Sequence, residues 1–421
     1  LKNLKKQEID NEKNLLKTEA MNQNLPTFIQ FFTHVLENNF LVEIVVEDDE
    51  DAFQIFETLN ERGLPLSKSN LIKNHIISLV PNEQAQEDIS DEWNQIFDEI
   101  IGTKQGDDVF IRESLRSRYF DEHTLDGKKV KASKKLLYKI VKARVNDDTS
   151  ARKFVSELRI DSKVVRMLND PTQYPDGKTK NAIIAVQSLN GESIRIPILT
   201  GYREWGIDDD RYDKLVNFLV KFFFRYRTVS VEHPGEVDRL MIECARKIKQ
   251  NEKVEDIINF LKENDDEDTF LWNFENTFEP NEQVANYVLS QITLHLGTPW
   301  SDVQPVGHLS VEHILPKKPD KSDWKTFFDN YDGSTRHKLS AFTYKIGNQT
   351  LLTQPINSAV SNKGFLEKKN YENNGQPKGY NSSELAINLK TVMNYQDWTA
   401  SIIEERTQEF TKHAKEIWSL D

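Results

Sequence analysis

A chain of 421 residues is long enough for two or three domains at roughly 100–200 residues each. Its 68 Asp+Glu against 55 Lys+Arg leave a net charge of −13, so the average field does not draw in nucleic acid, and any phosphate contact must come from a local basic patch or a metal. The single cysteine, Cys244, excludes a disulfide framework and a Cys-based zinc site and fits a reducing cytosol; no apolar run approaches the roughly 18 residues of a membrane span, and no secretory signal is present.

Residues 1–40 read as helical, with Pro26 able to open the second helix. The β-branched run at 41–46 is the best strand candidate of the first half and ends in an acidic stretch at 47–51. Apolar residues at helical spacing follow over 52–60, and Gly63 stops that helix. Ser67 is placed to cap a helix from 68 to about 80, ended by Pro81. From 82 to 290 the periodicity is helical throughout, with loops expected at 102–108, 146–150 and 169–177. Three consecutive Phe at 222–224 belong in a core, and Cys244 is expected to be buried and inert. The basic run at 128–153 reads as a solvated helix face, with DNA contact as the alternative.

Near 297–310 the composition turns to Gly, Pro and Ser, which marks a boundary. Beyond it, residues 301–421 hold 15 Lys+Arg and 15 Asp+Glu, so the first 300 residues carry the whole negative charge. This neutral part contains the informative segments. The first is Val311-Glu312-His313-Ile314-Leu315-Pro316. The second is Tyr344-Lys345-Ile346-Gly347-Asn348-Gln349-Thr350-Leu351-Leu352. The third is Asn357-Ser358-Ala359-Val360-Ser361-Asn362-Lys363-Gly364-Phe365. They place a carboxylate and an imidazole at a strand end, an Asn on a second strand, and further amides at a turn into a helix. Hydrolysis of a phosphodiester needs a base, a cation for the charge developing on phosphate, and stabilisation of the leaving oxygen. His313 suits the base, since imidazole titrates near neutral pH. Glu312 and Asn357 offer hard oxygen ligands suited to Mg²⁺ (or Mn²⁺). Neighbours on a regular strand point to opposite faces, so Glu312 and His313 share one phosphate only if the strand ends or bends there; Pro316 is consistent with an ending.

These segments together resemble the HNH (His-Me finger, ββα-metal) nucleases. The Asn-x-x-x-Ser-Asn-Lys-x-Phe stretch and the C-terminal Trp398 and Trp418 helices resemble the C-terminal nuclease of GmrSD-type restriction enzymes. The resemblance implies His313 as general base, Glu312 and Asn357 as ligands of one metal ion, Asn348 as the residue that orients the base or its loop, and Lys363 as a phosphate contact. His308 and Lys345 are further candidates for nucleic-acid contact, His308 alternatively being a boundary-loop histidine. A second resemblance covers 52–74, from Ala52-Phe53-Gln54 through Asn60-Glu61-Arg62-Gly63 to Leu71-Ile72-Lys73-Asn74. It looks like the second half of the ParB/sulfiredoxin-like GmrS domain, and Phe222-Phe223-Phe224-Arg225-Tyr226-Arg227 resembles a later element of the same proteins. There Asn60 and Arg62 either close a helix or contact a nucleotide domain. The family's Asp-Gly-Gln-Gln-Arg motif is absent and the chain begins at Leu1, so it is expected to be the C-terminal portion of a longer protein whose nucleotide-binding part lies upstream.

The expected fold is mainly α with a small α+β module. A remnant of the GmrS-like domain spans 1–80, a helical middle region 81–298, and a ββα-metal nuclease domain with C-terminal helices 299–421. The expected function is metal-dependent cleavage of DNA, including modified phage DNA, in a cytoplasmic bacterial restriction system, with the oligomeric state open. Two rivals stand beside it: a nuclease-inactive DNA-binding or sensing module, and an NTP-regulated effector subunit. RNA is an open alternative substrate.

Overall fold

A computed structural model describes residue 33 and residues 68–421 without 101–105, 126, 174–177, 304–307 and 332–337. The expected strand at 41–46, the helix at 52–60, Asn60 and Arg62 lie outside the described residues. The chain divides after Gly63, and every element from Lys68 onward belongs to the second unit, Leu64–Asp421.

The described part is mainly helical, with three small antiparallel sheets of two strands each. Helix α1, Lys68–Ser78, and α2, Glu83–Ile100, flank the Pro81 break. In α2 the apolar residues Ile89, Trp93, Ile96, Phe97 and Ile100 fall on one stripe and are buried. Helix α3, Asp107–Tyr119, leads to the one departure from the expected all-helical middle. Strands β1, His123–Leu125, and β2, Lys128–Val130, pair across a turn in which Gly127 takes φ 74°. The basic run therefore begins on this hairpin. It continues over α4, Leu137–Arg144, and into α5, Asp148–Asn169, which opens with a reciprocal capping box between Asp147 and Ser150. Then come α6, Lys178–Ser188, α7, Arg195–Trp205, and α8, Asp210–Phe223. Phe222, Phe223 and Phe224 are buried, and the helix widens into a π turn over Phe224–Val229. Helices α9, Pro234–Lys249, α10, Val254–Lys262, α11, Glu267–Asn276, and α12, Glu282–His295, complete this region. Cys244 on α9 is fully buried, and burial pushes its thiol well up, which fits an inert core residue.

After a short helix α13, Trp300–Val303, strand β3, Leu309–His313, pairs with β4, Gln349–Thr353. Between them lie α14, Lys325–Asp329, and α15, Leu339–Thr343. Helix α16, Gln354–Val360, follows β4 directly, then α17, Phe365–Asn370, the small β5–β6 pair, Glu372–Asn373 with Gln376–Pro377, and α18, Ala400–Ile417. Both faces of the β3–β4 hairpin are covered. Leu309 and Leu351 join a core that runs from Ile72 to Trp418, while Leu352 joins a second cluster with Ile314, Leu315, Trp324, Phe365, Tyr380 and Trp398. Double burial explains why Leu351 and Leu352 are apolar in succession rather than alternating. Trp418 stacks on Phe224 at 4.2 Å between centroids, so the main core is continuous across residue 298.

Candidate active site

The β3–β4 ladder is regular through its last rung, with Glu312 opposite Thr350 and His313 opposite Gln349. The backbone N–H of Ile314 donates to the Asn348 carbonyl at 2.9 Å, which extends the pairing past His313. Without a bend, Glu312 and His313 leave opposite faces of the strand. The condition for the two to share one phosphate is therefore not met in this arrangement.

Glu312 is buried, 6% exposed. Its Oε1 accepts from the Lys368 ammonium at 2.6 Å and from the Tyr380 hydroxyl at 3.0 Å. Lys368, fully buried, also donates to the carbonyls of His313 at 3.2 Å and Ile314 at 3.1 Å. Burial pushes the Glu312 carboxyl up and the Lys368 ammonium down, and their mutual attraction opposes both shifts.

His313 is half-buried. Its Nδ1 is buried with no hydrogen-bond partner among the described residues, and its ring meets Tyr344 edge to face at 5.6 Å. Burial, then the charges of Lys317 and Lys368, hold its pKa down to about 4; the Thr343 carbonyl acts the other way. The imidazole is therefore neutral at neutral pH, the form a general base needs.

Asn348 is fully buried and every hydrogen-bonding position of its amide is used. Oδ1 accepts from Leu315 N and from Trp398 Nε1, both at 2.9 Å; Nδ2 donates to the carbonyls of Leu315 and Thr343, both at 3.0 Å. It ties the chain just past His313 to the Thr343 carbonyl that acts on the imidazole. Behind it, Arg406 is completely buried and donates to the carbonyls of Gly347 at 2.6 Å and Gln349 at 2.7 Å. Helix α18 comes so close here that a Cβ on Gly347 would lie 2.3 Å from the Ile403 carbonyl and from Thr407 Oγ1.

Asn357, on α16, donates through Nδ2 to Ser310 Oγ at 2.8 Å and the Val311 carbonyl at 3.4 Å. Lys363 pairs with Glu367 at 3.3 Å and lies over the Tyr371 ring, and no contact brings it to His313 among the described residues. His308 is exposed just ahead of β3, five residues from His313 and so about 16 Å along an extended strand. Lys345 is half-buried and follows Tyr344, beside the His313 ring. The structure thus brings Asn348 to the turn that follows His313, places Lys345 next in the chain to the Tyr344 that meets the His313 ring, holds Asn357 on Ser310 and Val311, sets Glu312 on the opposite face, and leaves His308 and Lys363 apart.

A divalent ion fits this donor set poorly as arranged. The Glu312 carboxylate already faces an ammonium at 2.6 Å, which a metal ion would have to displace. Among the described residues no group of three or more His, Cys, Asp or Glu side chains is placed to hold a metal.

The C-terminal domain of GmrSD restriction endonucleases matches residues 261–413, and the N-terminal domain of the same enzymes matches residues 1–77. Together they cover more than half of the chain. The chain belongs to the GmrSD restriction endonuclease family. No curated protein matches it. As a GmrSD-type protein it carries the nuclease domains of a restriction system, for which DNA is the substrate class. No helix among the described residues is long and apolar enough to cross a membrane. The GmrSD C-terminal match contains the whole β3–β4 hairpin, Asn357, Lys368 and Arg406.

Sequence reasoning missed Lys368, Tyr380 and Arg406. A Lys368-Lys369 pair at a helix end reads as a solvated terminus, yet both are buried. The available signal was the buried acid: Glu312 in an apolar strand needs a cation partner.

Proposed function

We propose that this GmrSD-type chain is a DNA endonuclease of a bacterial anti-phage restriction system, cytoplasmic, with β3, β4 and α16 as the ββα core of an HNH nuclease. The observation that carries this reading is a half-buried imidazole at the end of a strand, its backbone carbonyl held by Lys368 and the residue two positions on, Leu315, held by Asn348; burial, Lys317 and Lys368 keep its pKa down. His313 takes the proton of a water; the water oxygen forms a bond to phosphorus as the bond to the 3′ oxygen breaks, and the 3′ oxygen leaves with the bonding pair and takes a proton from solvent. By family resemblance this leaves 5′-phosphate and 3′-hydroxyl ends. Asn348 is a positioning residue, acting through Leu315 and Thr343.

Mg²⁺ (or Mn²⁺), which the family resemblance assigns to Glu312 and Asn357, would have to displace the Lys368 ammonium from Glu312 before it could neutralise phosphate charge there. Phage DNA with modified bases or backbone as target belongs to the same proposal.

The test is nicking of supercoiled plasmid by the full chain, native and His313→Ala, with Mg²⁺ and with EDTA. The expected loss in His313→Ala is about 100- to 10,000-fold. Equal nicking by both proteins removes His313 from the chemistry. A native chain that cuts neither unmodified nor modified phage DNA supports the DNA-binding module instead.

A further inference from the structure

Three aromatic side chains, Trp272, Trp300 and Tyr344, stand exposed among the described residues, and only Tyr344 adjoins the candidate base. It is 39% exposed, with one edge relation already taken by His313 at 5.6 Å and 83°. The exposed Lys317 places its ammonium 5.7 Å from the centre of the same ring. The backbone beneath is fixed: the Tyr344 carbonyl accepts from Gln349 Nε2 at 2.9 Å, and its N–H donates to Ser340 at 3.2 Å. Gln349 is itself buried opposite His313. Both charged side chains that act on the His313 ring, Lys317 and Lys368, are cations. An aromatic face on a rigid backbone, beside an ammonium and next to the base, is the combination that holds an unstacked nucleotide: the ring takes the base and the cation takes the phosphate.

We propose that Tyr344 and Lys317 form a subsite for the nucleotide adjoining the scissile phosphate, Tyr344 stacking on its base and Lys317 contacting its phosphate. This rests on the nuclease reading of the same site. A base inside a duplex must leave its stack to reach Tyr344, so the subsite favours DNA that is unpaired, mismatched or bulged at the cut.

The experiment uses the full chain and oligonucleotides carrying 2-aminopurine, single-stranded or opposite a mismatch, bound in EDTA and then cleaved with Mg²⁺. Stacking on Tyr344 quenches the 2-aminopurine emission. Tyr344→Phe retains the quench; Tyr344→Ala loses it and lowers kcat/KM about tenfold to a hundredfold. Tyr344→Leu separates packing from stacking, because stacking requires it to behave like Ala and packing like Phe. Lys317→Ala reduces the salt slope of binding by about 0.7–0.9, the share of one phosphate. A native quench in Tyr344→Ala, or Leu behaving like Phe, overturns the subsite. If His313→Ala abolishes cleavage while the Tyr344 variants change neither quench nor kcat/KM, only the subsite falls. If the native chain cuts nothing yet the quench depends on Tyr344, the subsite stands and the nuclease reading fails.

Discussion

The helical region from Lys68 to His295 and the hairpin region from Leu309 onward both bury charge, but they neutralise it differently. In the helical region each of the most buried arginine clusters is built on a carboxylate, with backbone carbonyls such as those of Ser117 and Glu157 as additional acceptors. Asp161, fully buried, receives Arg203 at 2.7 Å and Arg118 at 3.0 Å, and Arg225 pairs with Asp265. In the hairpin region buried cations chiefly meet backbone carbonyls. Lys368 binds those of His313 and Ile314 besides Glu312; Lys369 binds those of Met393 and Tyr395; Arg406 binds those of Gly347 and Gln349. The physical reason is local. Helices satisfy most of their own carbonyls, so a cation between them is neutralised by an acid even where it also reaches a helix carbonyl. Short strands joined by irregular turns leave carbonyls facing inward, and a buried carbonyl must be hydrogen-bonded. In this half of the molecule long cationic side chains act as braces for the backbone that carries the site.

The largest test of this contrast is Lys368→Met. It strands Glu312 in the interior and frees two carbonyls, and should cost about 3–5 kcal/mol in urea unfolding. Adding Glu312→Gln should recover part of the loss, because the uncompensated charge is then gone. Lys369→Met removes bonds to carbonyls alone and should cost about 1.5–3 kcal/mol; a cost below about 0.5 kcal/mol would break the comparison, leaving acids as the only partners that matter. Gly347→Ala drives a Cβ into α18 and should cost about 1–3 kcal/mol. It sharpens the contrast by asking whether the Arg406 brace tolerates a shift of the turn it holds.

The sequence carried much of the helical region, because stripes such as Ile89, Trp93, Ile96 and Ile100 repeat with a visible helical period. The hairpin at 123–130 escaped, since three-residue strands are too short to display alternation. At the site, Glu312, His313, Asn348 and Asn357 were legible as residue types at a spacing. Their partners were not: Lys368 lies 56 residues and Tyr380 68 residues from Glu312, and neither spacing nor type marks a lysine that will be buried. Glu312 and His313 are neighbours in the chain, but the regular ladder sends them to different faces.

The smallest expected effect is the most discriminating one for the base. His123 in the helical region and His313 at the hairpin are both held down to about 4, each mainly by burial, with Arg144 adding to the first and Lys317 and Lys368 to the second. In both, the unfolded chain takes up a proton near pH 6.5 and the folded chain does not, so stability is full above about pH 6.5 and is lost as pH falls through 6.5 toward 4. Only His313 should also report in cleavage. A free imidazole would be about three-quarters protonated at pH 6, and a base of that kind would lose most of its rate between pH 8 and 6. With its pKa near 4, His313 remains neutral, and the single-turnover rate should change less than about twofold over that range. Lys317→Ala removes the charge with the stronger effect on the ring and should move the acid limb upward, whereas His123→Gln should leave the limb in place while changing the acid stability. A limb near pH 6.5 in the native chain would mean that the cations around His313 do not set its state, and that the hairpin braces hold the backbone without tuning the base.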